Sequence, residues 1–536
     1  MSNEGEITFR EHRFASAFSG SLRFGNSGDI TNLFGTTEES EDYIYGLIYM
    51  GIFMMTLFLV WLFAIIFLRC MGKHRVGFWA GQGFQQAVDD PGYTEKPYEG
   101  ASFRHRSTRV RVWFLLCSLV FIIFSILSVT NGLANLQSTV NTVSYNSYLV
   151  DGLSREASDI LSSIKGVRET AVRIKEQLVT ELDGDNFCPG NALLEDSGAS
   201  TEIVNQANQA IPYLSELENF AGDDLDGLES ASNELQSAAG TVQEETDNID
   251  LTSWQSLIIL IPFTIIPAIL MSATILAMFD AHFRWFTCLV NWVIFPLFFI
   301  LVISACVVST VMIIAVGVNS DFCLPKDQDG PQTVDTTVLN ILPLQGYPNT
   351  TKEYKLAEYY ITNCQTRDPF EQIEQLEVQL NNASVYLDQL GATMSNTDSM
   401  APLELLCNRD FESVRLMIID IVDIMQVVVS ALSRTIALTK CDTIVPIYAS
   451  TAYDATCDYS MTALMWLFMG MLVVAFAGFW MLTLRSAYKP TQYIDSQEFE
   501  AAKDSPMNDD DDDEDEYPAR RQSNHDNQSV DDSLYY

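Results

Sequence analysis

The feature that most constrains this chain is a set of five long apolar stretches. None of them carries Asp, Glu, Lys or Arg in its central part, and each is long enough to cross a bilayer as a helix. A helix in a globular core rarely reaches this length with such uniform apolarity. The sequence therefore predicts an all-α polytopic membrane protein with five transmembrane helices, at 43–68, 112–130, 255–279, 286–317 and 461–484.

Basic residues beside the short loops indicate the orientation, because cytoplasmic loops carry an excess of Lys and Arg. The loop 69–111 has 8 basic and 4 acidic residues, so we place it in the cytoplasm. Alternation then gives a 2-2-1 arrangement of the spans. The outer parts are an N-terminal arm at 1–42, a helical hairpin at 131–253 and a cysteine-containing helical domain at 318–460; the inner parts include a turn at 280–285 and an acidic disordered tail at 485–536.

This arrangement predicts an integral protein of the plasma membrane or an endomembrane. The N-terminus and both large loops face the extracellular or luminal side, and the C-terminus faces the cytoplasm. No cleavable signal peptide precedes the first span, which is expected to act as the membrane anchor itself.

The first outer loop has the clearest periodicity in the chain. Apolar residues recur at alternating spacings of 3 and 4 from Val150 to Leu178, which is a heptad seam that needs a helical partner. A second apolar pattern runs from Ile203 to Val242, and we predict an antiparallel hairpin that continues span two without a break. The seam also suits a second copy of the chain, in a homodimer through the outer domain; packing within one chain is the simpler interpretation. The second outer loop has helical patterns at 352–362, 370–394 and 402–440.

Composition and motifs exclude several function classes. The chain has 70 Asp and Glu against 30 Lys and Arg, a formal charge of −40, whereas nucleic-acid binding needs clustered Lys and Arg. No nucleophile elbow, P-loop, dinucleotide-binding glycine pattern, HExxH motif or EF-hand loop is found. We therefore expect no nucleic-acid partner, no enzymatic activity and no cofactor. Asp223, Asp224 and Asp226 lack the ligand spacing of a calcium site, and a solvated helix surface explains them better.

The cysteines divide by this topology into two groups. Six lie in the outer loops, an even number that fits three disulfides in an oxidising compartment, although sequence alone leaves their pairing open. Zinc is the rival interpretation, but no CxxC motif is present. The four expected free thiols are Cys70, Cys117, Cys288 and Cys306; the six outer cysteines are Cys188, Cys323, Cys364, Cys407, Cys441 and Cys457.

Short motifs predict covalent modification on both sides of the membrane. Sequons at Asn349 and Asn382 lie in the second outer loop, where glycosylation is possible. In the tail, Arg520 and Arg521 precede Ser523 at a spacing that basophilic kinases accept, which makes Ser523 a candidate phosphorylation site. Such short kinase patterns are frequent by chance.

One group of motifs resembles a known family, the tweety proteins. The likeness rests on Gly-Val-Asn-Ser-Asp-Phe-Cys at 317–323, at the exit of span four. It continues with Tyr359-Tyr360 ahead of Cys364, and with Asp-Pro-Phe at 368–370. Finally, Cys441 is followed by Cys457 just before span five. The five-span layout, the outer sequons and the acidic tail agree with the same family.

The resemblance implies a five-span membrane protein with chloride conductance and two nested disulfides, Cys323–Cys457 and Cys364–Cys441. Cys188 and Cys407 lie outside the motif, and by elimination we expect them to pair and tie the two outer loops together. The family often carries acidic residues after span two that are associated with calcium-dependent dimer contacts. Residues 130–136 carry no carboxylate here, which weighs against calcium in this chain.

Two functions from different classes follow. The first is a chloride or anion channel, with Lys165, Arg168, Arg173 and Lys175 as candidate anion contacts, although pairing with Glu169 and Glu176 along the same helix is the simpler role for them. The second is a non-conducting membrane scaffold that binds or transfers lipid, or organises the membrane through its helical outer domain. The spans carry no central basic residue, and acidic residues outnumber basic ones 22 to 5 and 20 to 8 in the two outer loops. Both facts favour the scaffold.

Overall fold

The computed structural model describes residues 18, 28–70, 85–88, 97–182, 211–212, 215, 225–249, 254–279, 281, 283–324, 333–395, 401, 404–405, 407–489 and 492–495. Within them the chain is almost entirely helical, as the sequence predicts. Five helical stretches are long and apolar enough to cross a membrane, which is the architecture of an integral membrane protein.

The elements follow one another along the chain as a series of helices with one short pair of strands. A 3-10 helix at Ile30–Phe34 precedes the first α-helix, and π-helical segments lie at Val290–Ile294 and Ser450–Tyr459. The α-helices are α1 (Thr37–Cys70), α2 (Pro97–Leu182), α3 (Leu225–Asp247), α4 (Trp254–Met278), α5 (Arg284–Leu289), α6 (Phe295–Cys323), α7 (Val334–Leu344), α8 (Lys352–Ile361), α9 (Glu371–Ser395), α10 (Glu412–Leu438), α11 (Cys441–Ala449) and α12 (Ser460–Thr483).

Helix α2 joins the two halves of the molecule. It is 86 residues long, so it extends for about 130 Å at 1.5 Å per residue. Its first part packs with α1, α4, α6 and α12 in what we call the apolar bundle. Beyond residue 130 it continues unbroken among the polar helices, as the sequence predicts for span two and the first outer helix.

Helix α12 packs on both α2 and α6, and most of its side chains are buried against them. Its remaining side carries an exposed apolar stripe, formed by Trp466, Met469, Phe476 and Trp480. Small residues make the close approach possible: a Cβ on Gly478 would lie 2.5 Å from Val302, and a Cβ on Gly132 would lie 2.7 Å from Leu467. Packing through small residues is how helices associate in lipid, where no hydrophobic force draws them together.

The polar helices have their own core, built from α2, α9 and α10. Ile160 and Ile164, two members of the predicted heptad seam, are buried against α9 and α10. The helices at Glu371–Ser395 and Glu412–Leu438 match two of the patterns predicted in the second outer loop. This part of the seam is therefore closed by helices that come from a distant part of the sequence.

The predicted hairpin is formed by α2 and α3, but its packing differs from the prediction. Helix α3 contacts α2 through small or polar residues such as Ser232 and Ala239, and Ser232 donates a hydrogen bond to the Ser154 carbonyl oxygen. Leu235 and Val242 belong to the second apolar pattern, which was predicted to face α2, but they are 52% and 40% exposed. That part of the prediction is wrong, because the small-residue face lets the helices approach more closely. The earlier part of the pattern, 203–221, lies almost wholly outside the described residues.

The sequence did not predict the strands. Gln85–Val88 pairs in parallel with Gln492–Asp495, joining the loop predicted at 69–111 to the start of the tail predicted to be disordered. Between α12 and this pair of strands, the chain packs against the apolar bundle. Tyr488 is buried there, and Arg111 of α2 donates a hydrogen bond to the Lys489 carbonyl oxygen at 3.4 Å. The first residues of the predicted tail are therefore ordered by contact with the bundle.

Part of the predicted N-terminal arm is also packed against the bundle. Ile30 is buried, and Asp29 caps the short helix that follows by accepting a hydrogen bond from the Thr31 amide at 2.9 Å. The Phe18 ring lies edge-on to Phe468 of α12, with centroids 6.0 Å apart. The aromatic residues of the arm give it an apolar contact that its polar composition does not suggest.

Candidate functional site

The candidate site is the junction where α6 leaves the apolar bundle and the chain returns into α12. Cys323 ends α6, Cys457 lies in the π-helical segment before α12, and both are buried. Their Cα atoms are 5.6 Å apart and the pair lies at disulfide distance. Val334 and Ala452 complete the buried core around them. Two helical segments that are far apart in sequence are thus held together at the edge of the apolar bundle.

A carboxylate bound by two tyrosines lies beside this cysteine pair. Asp335, in the first turn of α7, accepts hydrogen bonds from the Tyr448 hydroxyl at 2.6 Å and the Tyr453 hydroxyl at 2.8 Å. Burial raises the pKa of both hydroxyls above its ordinary value, and the hydrogen bond to Asp335 and its negative charge raise it further. Both tyrosines therefore remain neutral donors at physiological pH. The arrangement fixes α7 to the segment before α12.

The π-helical segment explains how both tyrosines reach one carboxylate. They are five residues apart, which in an α-helix would place them on different sides. The i→i+5 hydrogen bonding of a π-helix widens the turn at Ser450–Tyr459 and brings such residues closer to one side. The Thr456 hydroxyl, which donates to the Thr451 carbonyl oxygen at 2.8 Å, has the same spacing.

Side chains from two other helices hold the π-helical segment in place. Asn146 of α2 donates a hydrogen bond to the Thr451 hydroxyl at 2.8 Å, and Asn319 of α6 donates to the Thr456 carbonyl oxygen at 3.1 Å. The Thr139 hydroxyl donates to the Ala455 carbonyl oxygen at 3.3 Å. Because a π-helix leaves carbonyl groups in altered positions, such side-chain donors stabilise it.

A buried pair connects α1 to the same junction. The Tyr43 hydroxyl donates a hydrogen bond to Asp321 at 3.1 Å, and neither side chain is exposed. Asp321 lies in the motif that carries the family resemblance, two residues before Cys323. Burying a carboxylate at the end of a span is unfavourable in free energy unless the carboxylate accepts hydrogen bonds. Tyr43 donates one such bond to Asp321.

The second cysteine pair lies farther from the bundle. Cys364 and Cys441 are at disulfide distance, with Cα atoms 6.4 Å apart, and the Tyr359 hydroxyl lies 3.6 Å from the Cys441 sulfur. These two pairs are the ones that the resemblance implies. Cys407 is disulfide-bonded as well, while Cys188, which the sequence pairs with it, lies outside the described residues. Of the cysteines described, Cys70, Cys117, Cys288 and Cys306 are free thiols.

The candidate anion contacts lie far from the junction, on the distal part of α2. Lys165 is exposed and forms a 3.1 Å ion pair with Glu229 of α3. Arg173 is exposed and Lys175 is half-buried, whereas the side chain of Arg168 is outside the described part of the structure. The described side chains do not converge on a common point.

The candidate modification sites differ in how much of them is described. Asn349, in the turn before α8, and Asn382, on α9, are both exposed. Ser523, Asp223 and Asp224 lie outside the described residues, as does the side chain of Asp226. Among the residues that are described, no group of three or more His, Cys, Asp or Glu side chains is arranged to hold a metal ion.

Sequence reasoning identified the cysteines of the junction but missed Asp335, its two tyrosines and Tyr43. A faint signal was present, since the five-residue spacing of Tyr448 and Tyr453 does not suit an α-helix. Comparison with known proteins adds no identity: no family model and no curated protein matches the chain. The chemistry of the junction therefore rests on its own geometry, which is that of a structural clamp.

Proposed function

We propose that this protein is a non-conducting membrane scaffold with the five-span layout of the tweety proteins. The observation that carries the proposal is the position of α12, whose buried side chains fill the space between α2 and α6. Met465, Phe468 and Met471 are buried there together with residues from the facing helices. A pore along the axis of one chain would have to run where these side chains lie.

The position of the basic residues supports the same proposal. Lys165 is 35 residues beyond residue 130, where the second predicted span ends, so along an unbroken helix it lies about 50 Å from that point. A side chain at this distance does not line a pathway through the hydrocarbon. Its ion pair with Glu229 gives it a structural role in the α2–α3 hairpin.

The surface of the bundle suits lipid as the partner. Large apolar side chains of α1, α4 and α6 are exposed in the isolated chain, among them Phe63, Ile258 and Ile300. Trp285 and Trp292 are exposed at the start of the α5–α6 run, where aromatic side chains anchor helices at the membrane interface. In this proposal the clamp at Cys323 and Cys457 sets the angle at which the polar helices stand on the membrane.

Side-by-side measurement of anion flux and lipid transfer tests the proposal. Purified protein in liposomes is expected to show no chloride flux above empty vesicles, while bound lipid copurifies or exchanges. A known chloride channel in the same vesicles is the positive control. Chloride flux that depends on the protein and falls in a K165Q/R173Q variant would establish the channel and overturn the scaffold.

A further inference from the structure

The outward face of α9 carries an apolar stripe interrupted by a glycosylation sequon. Val378 and Val385 are 60% and 50% exposed, and Asn382 lies between them on the same side of the helix. Spacings of four and three residues place these side chains above one another. Asn382 therefore lies between two exposed apolar side chains, and a group attached to it is placed to cover both of them.

A groove begins at this stripe and runs towards the end of α9. It has a volume of about 610 Å³ and lies between the last turns of α9 and residues 418–426 of α10. Its apolar lining includes Val385, Leu387, Ile418, Ile419 and Val422. Its polar lining consists of Asp388, Gln389, Ser395, Asp423 and Gln426.

This lining has the chemistry of a carbohydrate site. Carboxylate and amide side chains provide acceptors and donors for sugar hydroxyls, and aliphatic side chains pack against the apolar faces of pyranose rings. A purely apolar occupant would leave the groove's acids and amides facing apolar surface without hydrogen bonds, which is costly. Sugar satisfies both parts of the lining.

We propose that the N-linked glycan on Asn382 folds back along α9, so that its inner sugars cover Val378 and Val385 and lie in the groove. From Asn382 to Ser395 is 13 residues, or about 20 Å of helix, which a branched glycan core can span in part. The proposal requires α9 to lie on the extracellular or luminal side of the membrane, as the 2-2-1 arrangement predicts. Asn349, which is exposed in the turn before α8, serves as the matched site.

The test compares the two glycans in the folded, full-length protein. Protein carrying high-mannose glycans is treated with an endoglycosidase that cuts between the two core N-acetylglucosamines, and each site is followed by glycopeptide mass spectrometry. The glycan on Asn382 is expected to be cut about tenfold more slowly than that on Asn349, with equal rates after denaturation. Equal rates in the folded protein overturn the inference while leaving the proposed function intact.

A groove variant makes the test specific. Ala392 is exposed, so A392W fills the groove without disturbing the core and is expected to bring the Asn382 rate up to that of Asn349. R434W, on the exposed surface of α10 beyond the groove, should leave the difference unchanged. Persistence of the slow rate in A392W would overturn the groove as the cause.

Hydrogen exchange distinguishes the glycan from other occupants. N382Q is expected to increase exchange in the groove-lining turns of α9 and α10, and N349Q is not. Asparagine is replaced in both because Thr351 of the first sequon also caps α8. Groove protection that is the same in N382Q and wild type would assign the groove to another occupant. Absence of glycan at Asn382 would also overturn the inference, and glycan at Asn349 would then still support the orientation.

Discussion

At the scale of single residues, the clamp at the junction depends on the hydrogen bonds that the Asp335 carboxylate accepts. Its carboxylate is half-buried and accepts hydrogen bonds from two tyrosine hydroxyls on the returning chain. Hydrogen bonds to a charged group are worth about 1.5–3 kcal/mol each, more than those between neutral groups. The two tyrosines therefore stabilise the junction through these hydrogen bonds as well as through packing.

The double variant Y448F/Y453F is expected to lower the stability of the polar helices by about 2–5 kcal/mol at neutral pH, because a half-buried carboxylate loses both donors. Chemical unfolding in micelles, followed by tryptophan fluorescence and circular dichroism, measures the loss. Y354F, a change at a half-buried tyrosine of α8 outside this cluster, is the control. Equal stability of the double variant and wild type would contradict a structural role for the cluster.

The same pair predicts a pH dependence with a definite sign. The pKa of each hydroxyl is raised in the folded protein by burial and by Asp335, whereas in the unfolded chain it titrates near 10. Above that pH the unfolded state loses protons that the folded state retains, so the stability contributed by the tyrosines is complete below pH 10 and declines above it. The difference between wild type and Y448F/Y453F should therefore shrink as pH rises beyond about 10.

At the scale of elements, the bundle depends on small residues where helices cross. Gly470 of α12 lies against Ser128 of α2, and a Cβ on Gly470 would also come within 3.2 Å of the Ser128 backbone. Backbone cannot rotate away as a long side chain does. The helices would have to separate, so this crossing tolerates less change than the exposed surface of the same helices.

G470A is expected to destabilise the bundle by roughly 1–3 kcal/mol, as overpacking of a tight core does. Adding S128G should recover much of this loss, because it removes the side chain that the new methyl group meets. Thermal unfolding of the detergent-solubilised protein compares the variants. G152A is the control: nothing lies within 4 Å of that position, and alanine favours the helix by roughly 0.5–1 kcal/mol. A double variant no more stable than G470A would contradict this account.

The elements show where sequence periodicity is informative. The seam from Val150 to Leu178 predicted a buried face on α2; among its described residues, Ile160 and Ile164 are buried, and the three before them are half-buried. The stripe through Leu235 and Val242 predicted the partner face of α3, and that was wrong. A heptad pattern states that a helix has an apolar side, but it does not state which neighbour approaches it. In α3 the small residues of another side permit closer packing on α2, and they decide the contact.

The candidate site was predicted only in part for a different reason. The cysteines stand out in the sequence because they are rare and chemically distinct, and the resemblance supplied their pairing. Asp335 and Tyr448 are 113 residues apart and have no local pattern in common. Their contact exists because the chain returns to the same edge of the bundle, which is a property of the tertiary fold.

At the scale of the whole molecule, the orientation in the membrane decides which parts meet which solvent. A bundle of five spans places the two ends of the chain on opposite sides. In the predicted 2-2-1 arrangement the acidic tail and the cysteine-containing helices are separated by the bilayer, and the disulfides require the oxidising side. Labelling of free thiols and glycosylation at the sequons test this orientation independently of each other.

We expect glycan at Asn349 and Asn382 and none at Asn527, since only the first two face the oxidising side in the 2-2-1 arrangement. In the same arrangement Cys70 follows span one on the cytoplasmic side and its thiol is exposed, so an impermeant maleimide should label it only after the plasma membrane is permeabilised. Loss of the label in C70S, detected by mass spectrometry, identifies the position. Non-reducing peptide maps should then contain Cys323–Cys457, Cys364–Cys441 and Cys188–Cys407. Labelling of Cys70 in intact cells, or glycan at Asn527, would reverse the orientation and place the cysteine clamp in the cytoplasm, where thioredoxin and glutathione would keep it reduced.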